Sequence, residues 1–300
     1  MKGMLLAKKY YNEILLPIIN EFNVPVAVGL IGYGSECYGY DDSISRDHDF
    51  SAMPSIWLRH DDYLKYGEKF KNILKELPNE FEGFKVLDES VWGKNRRGIL
   101  DIDEYIYSFL GSNTAPDNDL EFRNIPQYLL SAFTNGEIFR DDFGIITSIR
   151  EKVKFYPRDI KYNMMATRCM NMNSSYINYE RCIKRNEYVA ANQALSLFIT
   201  ASIEMYFLIN EKYCPYYKWQ HKMLSEIDNK AYNLFNDLVK PETTYNKKIN
   251  IMDEICSDII DKLEYKDIVI RIADFIGYYG PVIQSRIKNE TIKELGCWRD

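Results

Sequence analysis

Apolar residues recur along this chain first at helical spacing, then in short blocks. Residues 4–22, "MLLAKKYYNEILLPIINEF", set apolar side chains three and four apart between Lys, Asn and Glu, which predicts an amphipathic helix. "VPVAVGLIGYG" follows, a β-branched run ending in glycines, and predicts a buried strand entering a turn. "RDHDFSAM" reads as a second strand. "DDYLKYGEKFKNILKEL" reads as a helix with Leu64, Phe70, Ile73 and Leu74 on one side. "FKVLDESVW" and "RRGILDIDEYIY" read as two further strands. The turn-rich "GSNTAPDNDL", residues 111–120, is the expected domain boundary.

Beyond it the pattern turns helical. "IPQYLLSAFT" and "DFGIITSIREKVKFY", the latter stopped by Pro157, predict two shorter helices. "PRDIKYNMMATRCMNMNSSYINYERCIKRNE" and "EYVAANQALSLFITASIEMYFLINEKY" predict two long ones. The second is apolar nearly all round and is expected at the centre of its domain. Further helices are expected near 229–239, 246–264 and 267–289. The expected fold is therefore α+β, with a small mixed-sheet domain over 1–115 and an all-helical domain over 116–300.

Composition narrows this picture a little. The chain has 300 residues, 46% of them apolar, and 24 tyrosines. Its net charge of −6 lacks the basic footprint of proteins that grip long nucleic acid, so extended nucleic-acid binding is not expected. Arg168, Arg181, Lys184 and Arg185 still form a local basic run, read as a solvated helix face first and as a contact for a polyanionic acceptor second. The six cysteines are scattered without a CxxC pair, against a zinc ribbon or a disulfide scaffold. No apolar run of about 18 residues occurs, so no membrane span is expected, and a cytoplasmic setting is.

The chemistry concentrates in "GLIGYGSECYGYDDSISRDHDF", residues 29–50. On a strand, Asp47 and Asp49 share one face, about 7 Å apart at ~3.3 Å per residue, where two carboxylates can share divalent cations. His48 then points the other way, as a structural histidine. Gly34-Ser35, a turn after a buried strand, exposes backbone N–H groups and a hydroxyl suited to phosphate oxygens. Asp41 and Asp42 read as loop-ordering or capping residues. His60 and His221 carry no spacing signal.

Gly-Ser, eleven intervening residues and then Asp-x-Asp resemble the signature of the nucleotidyltransferase superfamily that includes DNA polymerase β and the kanamycin nucleotidyltransferases. "GYGSECYGYDDSISRDHDF" further resembles the domain of unknown function 4037 family. That likeness continues through 136–160, 179–194 and "KYCPYYKW" (212–219), and spans about 28–225. Phe50-Ser51 departs from it, standing where relatives often show Trp-Gly. The resemblance implies a nucleotidyltransferase in which Asp47 and Asp49 bind Mg²⁺ or Mn²⁺ and Gly34-Ser35 hold the triphosphate of an NTP such as ATP. It implies transfer of a nucleoside monophosphate to a hydroxyl on a small molecule, a protein or an RNA end, with the helical domain selecting the acceptor. A third carboxylate, acting as general base and metal ligand, is expected at Asp101 or Asp103 in "GILDIDEYI".

Other candidates are less specific. Lys218 suits a phosphate, and Tyr216, Tyr217 or Trp219 a base, or they are an aromatic anchor. Arg140 and Arg150 suit a triphosphate, or pair with Asp141, Asp142 or Glu151. Two rival functions are a non-catalytic nucleotide-binding module, such as a regulator or toxin–antitoxin partner, and a two-metal phosphohydrolase.

Overall fold

The structure is a computed structural model, and it describes residues 1–45, 50–87 and 96–298. Asp47, His48 and Asp49 lie outside the described residues, as does residue 46 and the segment 88–95. The chain divides into two compact units. Met1–Pro116 and Leu129–Lys154 form one, and Asp117–Tyr128 and Phe155–Asp300 the other.

The opening helix is interrupted. α1 (Gly3–Tyr10) and α2 (Leu16–Phe22) are joined by a π turn, Tyr11–Leu15. Pro17 stands in the first turn of α2 without an N–H to donate, and its ring crowds the preceding turn. Asn23, at φ 54, then ends the helix in the left-handed region.

β1 (Ala27–Leu30) and β2 (Ser55–Leu58) pair antiparallel, Ala27 opposite Trp57 and Gly29 opposite Ser55. Of "RDHDFSAM", residues 46–49 lie outside the described residues, and the rest is no strand. Phe50–Met53 carry no strand, and the second strand begins only after Pro54, which has no N–H for a ladder. α3 (His60–Lys75) follows. Its buried side carries Gly67 and Phe70, with Tyr63, Tyr66 and Leu74 packed into the same core. Leu64 instead is 70% exposed. Six residues separate it from Phe70, about 240° around a helix at 3.6 residues per turn, so the two cannot share a face.

β3 (Glu80–Phe81) and β4 (Phe84–Lys85) form a small hairpin whose turn residues Glu82 and Gly83 both have positive φ. β5 (Gly98–Asp101) runs parallel to β2, with Ser55 beside Gly98 and Leu58 beside Asp101. The strand expected through "RRGILDIDEYIY" stops there. α4 (Ile102–Leu110) begins at the next residue, so Asp103 lies on a helix.

α5 (Asp119–Asn124) packs in the second unit. α6 (Gln127–Thr134), β6 (Glu137–Asp141) and α7 (Ile145–Lys152) follow. The sequence shows no strand at 137–141, yet β6 pairs with the outer edge of β1 and draws 129–154 back into the first unit. The pairing satisfies N–H and C=O groups that an edge strand leaves open. The sheet order is β5-β2-β1-β6. All residues of β1, β2 and β5 are buried, because both faces are covered. Val28, Ile56, Leu58 and Ile99 join α1, α2 and α3 in one core. On the other face Trp57, Tyr105, Phe109 and Phe133 pack in succession as tilted ring pairs, at centroid separations of 5.0, 5.2 and 5.7 Å.

The second unit is helical. α8 (Arg158–Lys184) and α9 (Tyr188–Ile209) pack along each other. α9 is long and apolar enough to cross a membrane, but its apolar window is 61% buried within the protein, the environment of a core helix. α10 (Tyr217–Ile227), α11 (Asn229–Val239) and α12 (Tyr245–Tyr265) follow. The helix expected at 267–289 is broken up. Residues 268–275 are irregular, a 3₁₀ turn spans Ile276–Tyr278, and α13 (Tyr279–Ser285) and α14 (Glu290–Glu294) are short. The Tyr279 hydroxyl accepts from the amides of Ile272 and Ala273 and donates to the Ala273 carbonyl, which holds the irregular segment in place. Gly280 lets α13 lie close on α8, since a Cβ there would stand 2.5 Å from Met170 Sδ.

Candidate functional site

The turn after β1 is anchored from several elements. The Tyr105 hydroxyl donates to the Ile31 carbonyl at 3.1 Å. Asn135 Oδ1 accepts from the Gly32 amide at 3.0 Å, and Asn135 Nδ2 donates to the Gly32 carbonyl at 2.7 Å. Gly32 adopts φ +124, which only glycine takes without strain. Gly34 has an ordinary φ of −65, so its need for glycine is of another kind: a Cβ would meet Glu36 Oε1 at 2.2 Å.

Ser35–Cys37 then form a 3₁₀ turn, and all three residues are buried. Ser35 Oγ donates to Glu36 Oε2 at 3.4 Å. Glu36 is ion-paired with Arg97, which directly precedes β5. Burial opposes the charge on Arg97, but Glu36 together with Cys37 and Tyr105 outweighs it, holding the guanidinium above its ordinary pKa. Arg96 lies over the Tyr33 ring, 5.7 Å from its centroid. Burial pushes the Cys37 thiol up to about 12, so it is no nucleophile at neutral pH.

Asp41 and Asp42 do the ordering work expected of them. Asp41 Oδ2 accepts from the Gly3 amide at 3.1 Å, at the start of α1. Asp42 Oδ1 accepts from the amides of Ile44 and Ser45 at 3.0 and 2.9 Å, closing a local turn. Phe50, the residue after Asp49, packs against Gly3, and Gly3 in turn lies against Glu36. Among the described residues no group of three or more His, Cys, Asp or Glu side chains could hold a metal ion. The expected metal donors Asp47 and Asp49 are not among them.

Asp101 has other partners. Its Oδ1 accepts from the amides of Asp103 and Glu104 at 2.9 and 3.4 Å, so Asp101 is the N-cap of α4. Its Oδ2 lies 2.6 Å from His60 Nδ1. The register also sets Asp101 apart from the Gly34-Ser35 turn. That turn leaves β1 at the end where β2 and β5 begin, whereas Asp101 closes β5, about 10 Å beyond Gly98 at ~3.3 Å per residue. Asp103, in the first turn of α4, shares that far end.

His60 is the residue sequence reasoning missed. It opens α3, and the hydrogen bond to Asp101 raises its pKa above the ordinary value. The two are 41 positions apart and meet only because β2 and β5 run parallel.

The arginines expected near a triphosphate serve the fold. Arg140 Nε donates to Asp142 at 2.8 Å, the pairing its neighbours suggested. Arg150 donates to the carbonyls of Phe133, Thr134 and Asn135 at 2.8–2.9 Å and so closes the C-terminal end of α6. Its burial holds the guanidinium below its usual pKa.

In the helical unit, Lys218 lies in the first turn of α10, its Nζ 5.3 Å from the Trp219 ring. Tyr216 and Tyr217 are exposed, with ring centroids 4.4 Å apart, and Tyr128 adds a third ring. His221 stacks on Tyr232. Of the basic run, Arg168 pairs with Glu204 and Lys184 with Glu180, both within the unit.

The chain is thus an α+β protein with a small mixed sheet, a glycine-serine turn at the end of its first strand and a helical unit. Residues 122–220 match the family model for a domain of unknown function, DUF4037, which bears out that resemblance over about a third of the chain. The match takes in 136–160, 179–194 and 212–219 and leaves out Gly34-Ser35 and Asp47-x-Asp49. No curated protein matches the chain. Among solved structures it is similar to a nucleotidyltransferase-like protein from Exiguobacterium sibiricum 255-15, at 10% identity and a TM-score of 0.38, over 94% of this chain and 81% of that one.

Proposed function

We propose that this chain is a metal-dependent nucleotidyltransferase that moves a nucleoside monophosphate from an NTP to a hydroxyl acceptor. One observation carries the reading: a buried strand ends in the anchored Gly34-Ser35 turn, and Asp47-x-Asp49 follows after eleven intervening residues. Asp47 and Asp49 would hold Mg²⁺ or Mn²⁺, which neutralises charge on the phosphates and on the attacking oxygen. Ser35 offers its hydroxyl to a terminal phosphate, and the bonds from Asn135 and Tyr105 fix the turn that presents it. Lys218 and the exposed Tyr216 and Tyr217 give the helical unit a cation and stacking surfaces for nucleotide or acceptor. A small-molecule or protein acceptor suits the net charge of −6 better than long RNA, while an RNA end remains in the same class of hydroxyl. A cytoplasmic location suits an NTP-consuming reaction.

A second reading, a nucleotide-binding or regulatory partner without transfer, draws on Asp101. Its carboxylate is engaged by α4 and His60 at the end of the sheet away from the Gly34-Ser35 turn, which weighs against it as the expected general base. Incubation with each radiolabelled NTP, Mg²⁺ or Mn²⁺ and a panel of acceptors separates the two. Transfer requires label incorporation with pyrophosphate release, both lost in Asp47→Ala plus Asp49→Ala. Nucleotide binding without either product favours the partner reading.

A further inference from the structure

A charged pair is buried beside the Gly34-Ser35 turn. The Glu36 side chain folds back across Gly34, so that a Cβ on Gly34 would stand 2.2 Å from Oε1 and 2.5 Å from Oε2. Its other flank rests on Gly3. The carboxylate takes the Ser35 hydroxyl as one donor and the Arg97 guanidinium as another. The Glu36 and Arg97 side chains are only 9% and 10% exposed. A hydrophobic pair of the same volume commonly stabilises a fold as well as a buried ion pair does, so stability alone does not call for these charges. The arrangement is that of an anion held against a glycine by a hydroxyl and a guanidinium, the donors that phosphoryl oxygens take.

We infer that Arg97 completes the phosphate subsite already proposed for Ser35 and that Glu36 is its built-in competitor. A phosphate enters by displacing the Glu36 carboxylate from Arg97. A singly charged anion gains little by that exchange, whereas a polyphosphate brings more charge than the carboxylate it replaces. The subsite therefore selects for a triphosphate tail. Arg96, exposed beside Tyr33, adds a second positive charge to the same turn. The identity of the anion as a nucleoside triphosphate rests on the proposed function; the exchange between Glu36 and phosphate does not.

Inorganic tripolyphosphate, without metal, is the probe. It is titrated calorimetrically at one ionic strength into the full chain as wild type, E36Q and E36Q/R97M. Thermal melts run alongside. E36Q keeps the shape of Glu36 and removes the competing charge, and it is expected to bind about tenfold or more tighter than wild type. The double variant buries no lone charge and is expected to lose that gain. Binding by folded E36Q no tighter than wild type, or by the double variant as tight as E36Q, overturns the inference. Should E36Q fail to fold, wild type against the double variant decides. Binding that only the wild type shows supports the subsite, and equal binding or none by either overturns it. Label transfer is scored separately, so a failed transfer with a gain in E36Q removes the enzyme reading and leaves the subsite. Transfer without that gain does the reverse.

Discussion

Asp101 and His60 show how one carboxylate changes meaning with its surroundings. Asp101-Ile102-Asp103-Glu104 is itself a capping pattern, an acid followed three positions on by Glu, so the helix start was open to reading from sequence. The partner at His60 was not, because sequence distance says nothing of parallel register. Asp101→Ala removes a cap and is expected to cost about 1 kcal/mol, while Asp101→Asn, also a good cap residue, costs less. The histidine adds a pH dependence of known sign. Its pKa is raised in the fold above the ordinary value of about 6.5, so its contribution is fully present below that value and is lost as pH rises through the raised one. The melting temperature of His60→Gln is therefore expected to trail wild type more at pH 6 than at pH 9. Equal gaps at both would mean the imidazolium adds nothing. Glu36 and Arg97 teach the same lesson at the turn: a Gly-Ser pair is visible in sequence, but the side chains that crowd it come from both sides of 61 positions.

At the scale of elements, β6 decides the sheet. Gly136, before β6, has φ +60 and sits so close to β1 that a Cβ would meet the Leu30 carbonyl oxygen at 2.0 Å. Gly39 also has positive φ, +72, but nothing lies within 4 Å of a Cβ there. Gly39→Ala is expected to cost about 1–2 kcal/mol for the backbone alone. Gly136→Ala should cost distinctly more, because β6 must also move off β1. Urea unfolding of both variants compares the two, and equal losses would show that the approach to Leu30 is not what requires glycine. Helices with a strong period, such as α3, α11 and α12, were legible within a few residues, and α8 and α9 were legible from their length and unbroken composition. β6 was not, since five half-buried residues with no alternation resemble a loop until an open strand edge lies beside them. The helix expected at 267–289 failed for the opposite reason. Its apolar pattern is real, but Tyr279 binds three backbone groups of the preceding segment and breaks the helical ladder.

At the scale of the molecule, the helical unit is closed by its C-terminal segment. Asp159 Oδ2, in the first turn of α8, accepts from the amides of Lys288 and Asn289 at 2.9 and 2.7 Å, and the buried Asn163 donates to the Gly296 carbonyl at 2.8 Å. Ile287 and Ile292 are buried beneath them. Truncation after Ser285 is expected to cost on the order of 3–6 kcal/mol from those two side chains alone, read as earlier thermal unfolding by circular dichroism. An unchanged melt would show that the segment only rests on the unit. The sequence by itself determined the α+β class, the long helices, the buried first strand and the chemical vocabulary of Gly34-Ser35 with Asp47-x-Asp49. Those follow from local periodicity and spacing, which a chain carries before it folds. Tertiary structure alone decided that 129–154 rejoin the sheet, that Arg150 caps a helix, that Asp101 holds His60, and that Glu36 and Arg97 meet over Gly34. Each of these depends on which strand edges and side chains packing brings together, and no local pattern encodes that.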